Sequence, residues 1–165
     1  MPLSQYQKAA WLGGLLGGVA YPAIPGTVYL GLSTAAWASS TDAQILAGEP
    51  SGAGGYLRIA VTNNATNFAA ITAGAFAGSA SSTNLQAGPG PTGVASFPTS
   101  TSTGWSSAGN FLVTAFFADA STLGAGHLLW VGTPVNGSGV QLSIAVNQAG
   151  ITLYYAANGF TTLLL

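Results

Sequence analysis

Sixty consecutive residues, Ile59 to Ala118, contain no formally charged side chain. The whole chain of 165 residues has five: Lys8, Asp42, Glu49, Arg58 and Asp119. An ordinary soluble domain gives roughly a quarter of its residues to charge. A chain with so little cannot build a conventional solvated surface, and its net charge of −1 does little to oppose association. It is expected to live packed against copies of itself or against a large partner. The same scarcity removes most groups that catalysis uses, so no enzymatic activity is expected.

The length suits one domain, or one domain with an added arm. A chain of this size buries about two-thirds of its unfolded surface, enough for a core without staples. There is no cysteine, which excludes disulfides and thiolate metal sites. No cofactor is expected. Two Lys/Arg residues give no basic footprint for nucleic acid, nor the cationic face of a membrane-surface helix. The longest apolar run, Ala9–Ala20, holds four glycines and falls short of the about 20 residues that a spanning helix needs. Lys8 followed by this run invites comparison with a secretory signal. A single positive charge and the poor cleavage pattern at Tyr21-Pro22-Ala23 argue against one.

Twenty-four glycines and eight prolines favour many short strands joined by turns. The exception is at the N-terminus. Ser4 and Gln7 form an S-x-x-Q capping signature, and Leu12, Leu15 and Leu16 recur at helical spacing near Trp11. The spacing predicts a short helix over 4–16, ended by Gly17-Gly18. It either packs on its own domain or forms an arm that docks on a neighbour. Pro22 and Pro25 frame a linker, so residues 1–26 read as helix and linker and 27–165 as the β-domain.

Thr27–Ser33 alternates as a strand, with Val28, Leu30 and Leu32 on one face. Residues 34–55 read as loop. Tyr56–Thr62 is expected as a strand placing Leu57, Ile59 and Val61 opposite Tyr56, Arg58, Ala60 and Thr62. Phe68–Thr72 and Ala75–Ala77 are weaker strand signals. Residues 78–104 are a Gly/Ser/Thr/Pro-rich loop around one short strand at Val94–Phe97. Further strands are expected at Phe111–Ala118, His127–Gly132, Gln141–Val146, Ile151–Tyr155 and Phe160–Leu165. Asn136-Gly137 is the clearest hairpin signal. Seven to nine short strands at this rhythm predict an all-β fold, an antiparallel β-sandwich or jelly roll with a short N-terminal helix.

Few residues carry chemistry. Gly88-Pro89-Gly90-Pro91-Thr92-Gly93 matches G-x-G-x-x-G in letters, but its prolines remove amide donors and no helix follows. His127 is the only histidine, with Asp119 across an expected hairpin. Asp119 reads better as a turn residue than as a catalytic partner. Glu49 and Arg58 flank a glycine-rich turn and suit a structural ion pair. No metal-ligand cluster is spaced for coordination. The sequons at Asn64 and Asn136 matter only in a eukaryotic secretory setting. Trp11, Trp37, Trp105 and Trp130 raise the idea of sugar stacking. The acids that usually accompany such sites are missing, so packing or an interface is the better use.

Three segments in order carry a resemblance. They are LLGGVAYPAIPGTVYLGLST (15–34), GEPSGAGGYLRIAV (48–61) and FFADASTLGAGHLLWVGTPV (116–135), the last followed by AGITLYY (149–155). This order resembles small virion proteins of tailed bacteriophages, described as tail-fibre, minor structural or head-decoration proteins. Two features depart from that pattern. Residues 78–104 are longer and richer in Ser, Thr and Gly, and Val135–Gly139 lacks an acidic residue. The resemblance implies a virion structural protein. The first expectation is a capsid decoration, or cement, protein on the outer surface of the head. It would be a homotrimer that bridges copies of the major capsid protein. The alternatives are a tail-fibre or baseplate protein and, in a different class, a carbohydrate-binding β-sandwich module. Candidate contact residues are Trp11, Leu12, Leu15 and Leu16 on the helix, loop 78–104, and the tail Leu163, Leu164 and Leu165. That tail reads somewhat better as a last strand in the sheet.

Overall fold

A computed structural model describes residues 3–23, 25–64, 72–73, 80–82, 95–100, 105, 111–134, 141–146, 154–155 and 162–164. The central sheet holds four antiparallel strands: β1 (Thr27–Ser33), β2 (Ile59–Thr62), β7 (Thr114–Ala118) and β8 (Leu128–Gly132). Their order across the sheet is β2-β1-β7-β8. The remaining strands are short antiparallel pairs. β3 (Thr72–Ala73) and β11 (Thr162–Leu164) flank β4 (Ala80–Ser82), β5 (Ala95–Ser96) pairs with β10 (Tyr154–Tyr155), and β6 (Phe111–Leu112) pairs with β9 (Ile144–Ala145). The fold is all-β, with a short N-terminal helix α1 (Gln5–Leu16).

The central sheet is covered on both faces, which is why every residue of β7 is buried. On one face Val28, Leu30 and Leu32 of β1 join Ala115 and Phe117 beneath Phe97, Trp105, Leu112 and Val146. At the centre of this layer Tyr56 stacks on Phe97 with 5.9 Å between ring centroids, and Trp105 meets Tyr56 edge-on at 5.4 Å. On the other face Phe116, Ala118, Leu128 and Val131 pack with Ile45 and Leu46. Gly31 lies directly opposite Phe116 across the β1–β7 ladder. A Cβ at Gly31 would come within 2.4 Å of the Phe116 ring, so the glycine makes room for the aromatic.

Ile45 and Leu46 belong to α2 (Asp42–Ala47), inside the stretch expected to be loop. A 3-10 turn at Trp37–Ser39 precedes it. The correction has a local cause, because Thr41 and Gln44 form a full capping box. The expected strand from Tyr56 begins only at Ile59, and its alternation is broken. Tyr56, Arg58 and Ile59 are all buried while Leu57 is exposed. Tertiary contacts to Tyr56 and Arg58 override the period of two there. The strand expected at Phe111–Ala118 is split at Val113, whose N–H bonds to the Ser33 carbonyl. The Asn136-Gly137 hairpin, the glycine motif at 88–93 and most of loop 78–104 lie outside the described residues, as do Phe68–Ile71 and Ala75–Ala77.

One irregularity positions the arm. The β7–β8 register pairs Phe117 with Trp130 but Ala118 with Leu128, which leaves Leu129 as an extra residue. Such a bulge bends the strand and frees local pairing groups. Here the Leu128 and Leu129 carbonyls receive the start of α1, and Leu3 forms a bridge to Trp130. The outer edge of β8 is thereby partly covered by the N-terminal residues.

Candidate functional site

The start of α1 is fully accounted for in hydrogen bonds. Ser4 N–H donates to the Leu129 carbonyl, and the Ser4 hydroxyl donates to the Leu128 carbonyl. Gln7 N–H donates back to Ser4 Oγ at 3.1 Å. The two remaining first-turn amides, of Gln5 and Tyr6, donate to the Asp42 carboxylate at 3.1 and 2.8 Å. Asp42 thus sits in the first turn of α2 while its charge caps α1, where the helix dipole favours an anion. The capping box expected at Ser4 is only half made. The Gln7 side chain turns outward to accept from the Tyr21 hydroxyl, and Ser4 N–H is already spent on β8.

The far end of α1 folds back on itself. Gly18 adopts φ +63°, and Val19 N–H returns to the Gly13 carbonyl. Residues 19–21 then run beside the helix over Gly14, with the Val19 oxygen 3.5 Å from where a Gly14 Cβ would stand. Helix and return segment form one arm. No residue of α1 is buried. Leu16 is 78% exposed, Leu15 64% and Trp11 55%; Leu12, Val19 and Tyr21 are also exposed. Trp11, Leu15, Val19 and Tyr21 line a shallow open depression on this arm. Monomeric proteins seldom leave a contiguous apolar patch of this kind uncovered unless it is used.

The arm's base meets the second polar feature. The Tyr6 ring stacks on His127 with centroids 4.2 Å apart. His127 Nδ1 lies 2.8 Å from Asp119 Oδ2, and His127 N–H donates to Asp119 Oδ1 at 2.7 Å. Partial burial pushes the Asp119 carboxyl up, but the bonds from the His127 amide and ring outweigh it and hold the carboxyl below its ordinary value. A depressed folded-state value means that the contribution is complete above the ordinary carboxylate range. It is lost as pH falls through the depressed value. Asp119→Asn is therefore expected to lose stability at neutral pH and to flatten the acid limb of the stability profile. Denaturant titrations of both proteins between neutral and strongly acidic pH check this, and parallel profiles would count against it.

Beneath that turn lies a buried ion pair. Arg58 donates through Nε to Glu49 Oε1 at 2.8 Å and through its second terminal nitrogen to Oε2 at 2.7 Å. Its other nitrogen donates to the Ala120 and Ala125 carbonyls. Glu49 in turn accepts from Gly124 N–H at 2.8 Å and from the Tyr56 hydroxyl at 3.1 Å. The Tyr56 hydroxyl also accepts from Leu32 N–H. Burial pushes the Tyr56 phenol well up, and the Glu49 charge adds to it, so the hydroxyl stays protonated. The guanidinium also lies 5.3 Å from the Phe116 ring centroid. Two charges, with Tyr56, thereby tie three segments together: the 48–55 turn, the 119–126 turn and the C-terminal end of β1.

The residues singled out in the sequence fall into two places. Trp11, Leu12, Leu15 and Leu16 share the arm, while Glu49, Arg58 and Asp119 share the turn cluster below it. Leu163 and Leu164 lie in β11, their backbones paired with Ser81 and Ala80; Leu165 is outside the described residues. The tryptophans form no common platform. Trp105 is in the core, Trp130 packs against Phe117, and Trp37 donates through Nε1 to Thr133. Sequence reasoning missed Asp42, whose partners lie far away along the chain, and α2, whose Thr41–Gln44 signature was legible. Among the described residues no group of His, Asp and Glu could hold a metal, and no helix is long and apolar enough to cross a membrane.

Comparison with known proteins adds one family. A family model described as podophage GP4 fiber I protein gp80 matches residues 2–141, a span that takes in the arm, the central sheet and the turn cluster. No curated protein matches.

Proposed function

Since the chain belongs to the podophage GP4 fiber I protein gp80 family, a family of phage virion structural proteins, we propose that it is a structural component of a tail fibre. Its role there is mechanical rather than catalytic. The family description supports the fibre alternative better than the capsid-decoration reading. The observation in this molecule that carries the proposal is the arm. It is anchored at its base by a complete set of hydrogen bonds, yet it leaves its apolar side chains in water. An element built in this way contributes by being covered in an assembly.

The scarcity of charge supports the same reading. A chain held among neighbours needs little surface charge to stay dispersed. Each contact is repeated by symmetry, so modest apolar interfaces suffice for a stable particle. The rigid turn cluster suits the load: buried charges and a two-faced core hold the sheet as one unit to which the arm is fixed.

Cryo-electron microscopy of the particle that carries the chain tests the location. Density for the β-domain at the tail, in the few copies that fibres require, is the expected result. Density in hundreds of copies on the head lattice would overturn the fibre reading and restore the decoration reading. Absence from the particle would sink both.

A further inference from the structure

We propose that the seat of the arm is a proton-sensitive latch, in which the charged form of His127 holds Tyr6 and the start of α1 on the β-domain more firmly than the neutral form. The inference stands apart from the fibre reading, because it concerns only how this chain holds its own arm.

The seat is small and mostly polar. Leu3 bridges to Trp130, Ser4 bonds to the Leu128 and Leu129 carbonyls, and Asp42 accepts from the Gln5 and Tyr6 amides. No residue of α1 is buried. To these bonds Tyr6 adds a ring contact. Its ring lies nearly flat on His127, with 4.2 Å between centroids and 16° between planes. A cation held within about 6 Å over the face of an aromatic ring is attracted to it. That attraction exists only while the arm is seated, so charge on His127 favours the seated arm over the released one.

The 119–127 turn is shaped to present the imidazole at this point. Asp119 Oδ1 accepts from His127 N–H at 2.7 Å, and Oδ2 lies 2.8 Å from Nδ1. Gly126 adopts φ +86°, and a Cβ there would come within 2.6 Å of Asp119 Oδ1, so the glycine lets the carboxylate close on His127. The hydrogen on Nδ1 that faces the carboxylate is present in the charged ring and in the matching neutral tautomer. Protonation at Nε2 therefore changes the charge without turning the ring away from Tyr6.

The surrounding charges allow this. Asp119 faces the ring from its own turn, and Asp42 of α2 sits on the Tyr6 amide. Lys8 of α1 is exposed and lies two residues beyond Tyr6, a spacing that puts it on another side of the helix. Beneath the turn, Arg58 and Glu49 neutralise each other in their buried pair. His127 is the only histidine of the chain, and histidine is the side chain whose ordinary titration falls between about pH 5 and 8. Asp119 stays ionised across that range, because its carboxyl is held below the ordinary value. Since charge on the ring strengthens the seat, the added hold is complete on the acid side of the range and is lost as pH rises through it.

The chain supplies its own probe. Lys8 and Arg58 are its only basic side chains, so trypsin has two sites, and Arg58 is buried in its ion pair. Cleavage after Lys8 needs an extended backbone, which breaks the bond from Lys8 N–H to the Ser4 carbonyl and opens the seat. The cleavage rate then follows the released population. Full-length protein is digested at about pH 5.5 and about pH 8.5, on either side of the histidine range. Each rate is divided by that of a free peptide of residues 4–12 in the same buffer, which removes the pH dependence of the protease. Cleavage after Lys8, identified by mass spectrometry, is expected to be about two- to fivefold slower at the acid pH. His127→Gln and Tyr6→Leu are each expected to bring that ratio to one, with the far-ultraviolet circular dichroism spectrum of the β-domain unchanged. A ratio of one in the unmodified chain would overturn the proposal without recourse to any variant. An undiminished ratio in His127→Gln would overturn it by assigning the effect to another group. An undiminished ratio in Tyr6→Leu would overturn the ring contact as the latch.

Discussion

Arg58→Ala is expected to cost about 3–5 kcal/mol of folding stability, because it strands a buried carboxylate without its partner. The Glu49 and Arg58 side chains in this ion pair are each 1% exposed, so water cannot replace the lost interaction. The damage spreads beyond the pair. Ala120 and Ala125 lose the donor that holds their carbonyls, and Glu49 is left with Gly124 N–H and the Tyr56 hydroxyl alone. Arg58→Lys keeps the charge but not the planar fork that meets both carboxylate oxygens, and is expected to fall between. Replacing both partners, Arg58→Met with Glu49→Leu, is expected to recover part of the loss, because the desolvation penalty disappears with the charges. Recovery stays partial because the buried Tyr56 hydroxyl then loses its Glu49 acceptor, and the Ala120 and Ala125 carbonyls lose their donor. Urea unfolding of the four proteins measures the series. A loss below about 1 kcal/mol for Arg58→Ala would show that the cluster behaves as an exposed ion pair.

The second large effect belongs to Trp105. Trp105→Ala is expected to cost about 3–5 kcal/mol, the usual range for emptying a buried tryptophan site. The ring is fully buried against the stacked pair of Tyr56 and Phe97, and its backbone N–H donates to the Val146 carbonyl. It is the piece that joins the layer containing Leu112 and Val146 to the central sheet. Its indole Nε1 has no hydrogen-bond partner among the described residues. A buried donor left unpaired is itself unfavourable. Trp105→Phe removes that donor and keeps most of the ring, so it is expected to lose less than half as much as the alanine variant. Denaturant unfolding followed by near-ultraviolet circular dichroism checks both. A phenylalanine variant as unstable as the alanine one would show that the indole makes a bond that matters.

How much of this was legible follows from how far each partner lies along the chain. Ser4 as the cap of α1 was legible, because a cap and its amide are three residues apart. The buried face of β1 was legible, because strand alternation needs no distant partner: Val28, Leu30 and Leu32 all enter one core layer. Glu49 and Arg58 were legible as a candidate pair because so few charges exist to choose from. The α2 signature at Thr41–Gln44 was equally local and was overlooked among its polar neighbours. Asp42 as the cap of α1 was not legible. Its amide partners lie 36 and 37 residues away, and nothing in local spacing points to them.

The candidate surface divides in the same way. That residues 5–16 form a helix with leucines on one side is written in their periodicity. Whether that side is buried or left in water is not, because an interface and a core have the same composition in a chain with almost no charge. Likewise β8 is legible as a strand, but the bulge at Leu129 that receives the arm is not. By itself, the amino-acid sequence determined α1 and the buried face of β1, which arise from contacts between near neighbours. Only the tertiary structure decided which apolar surface stayed outside, because that depends on how much of the sheet the other elements cover.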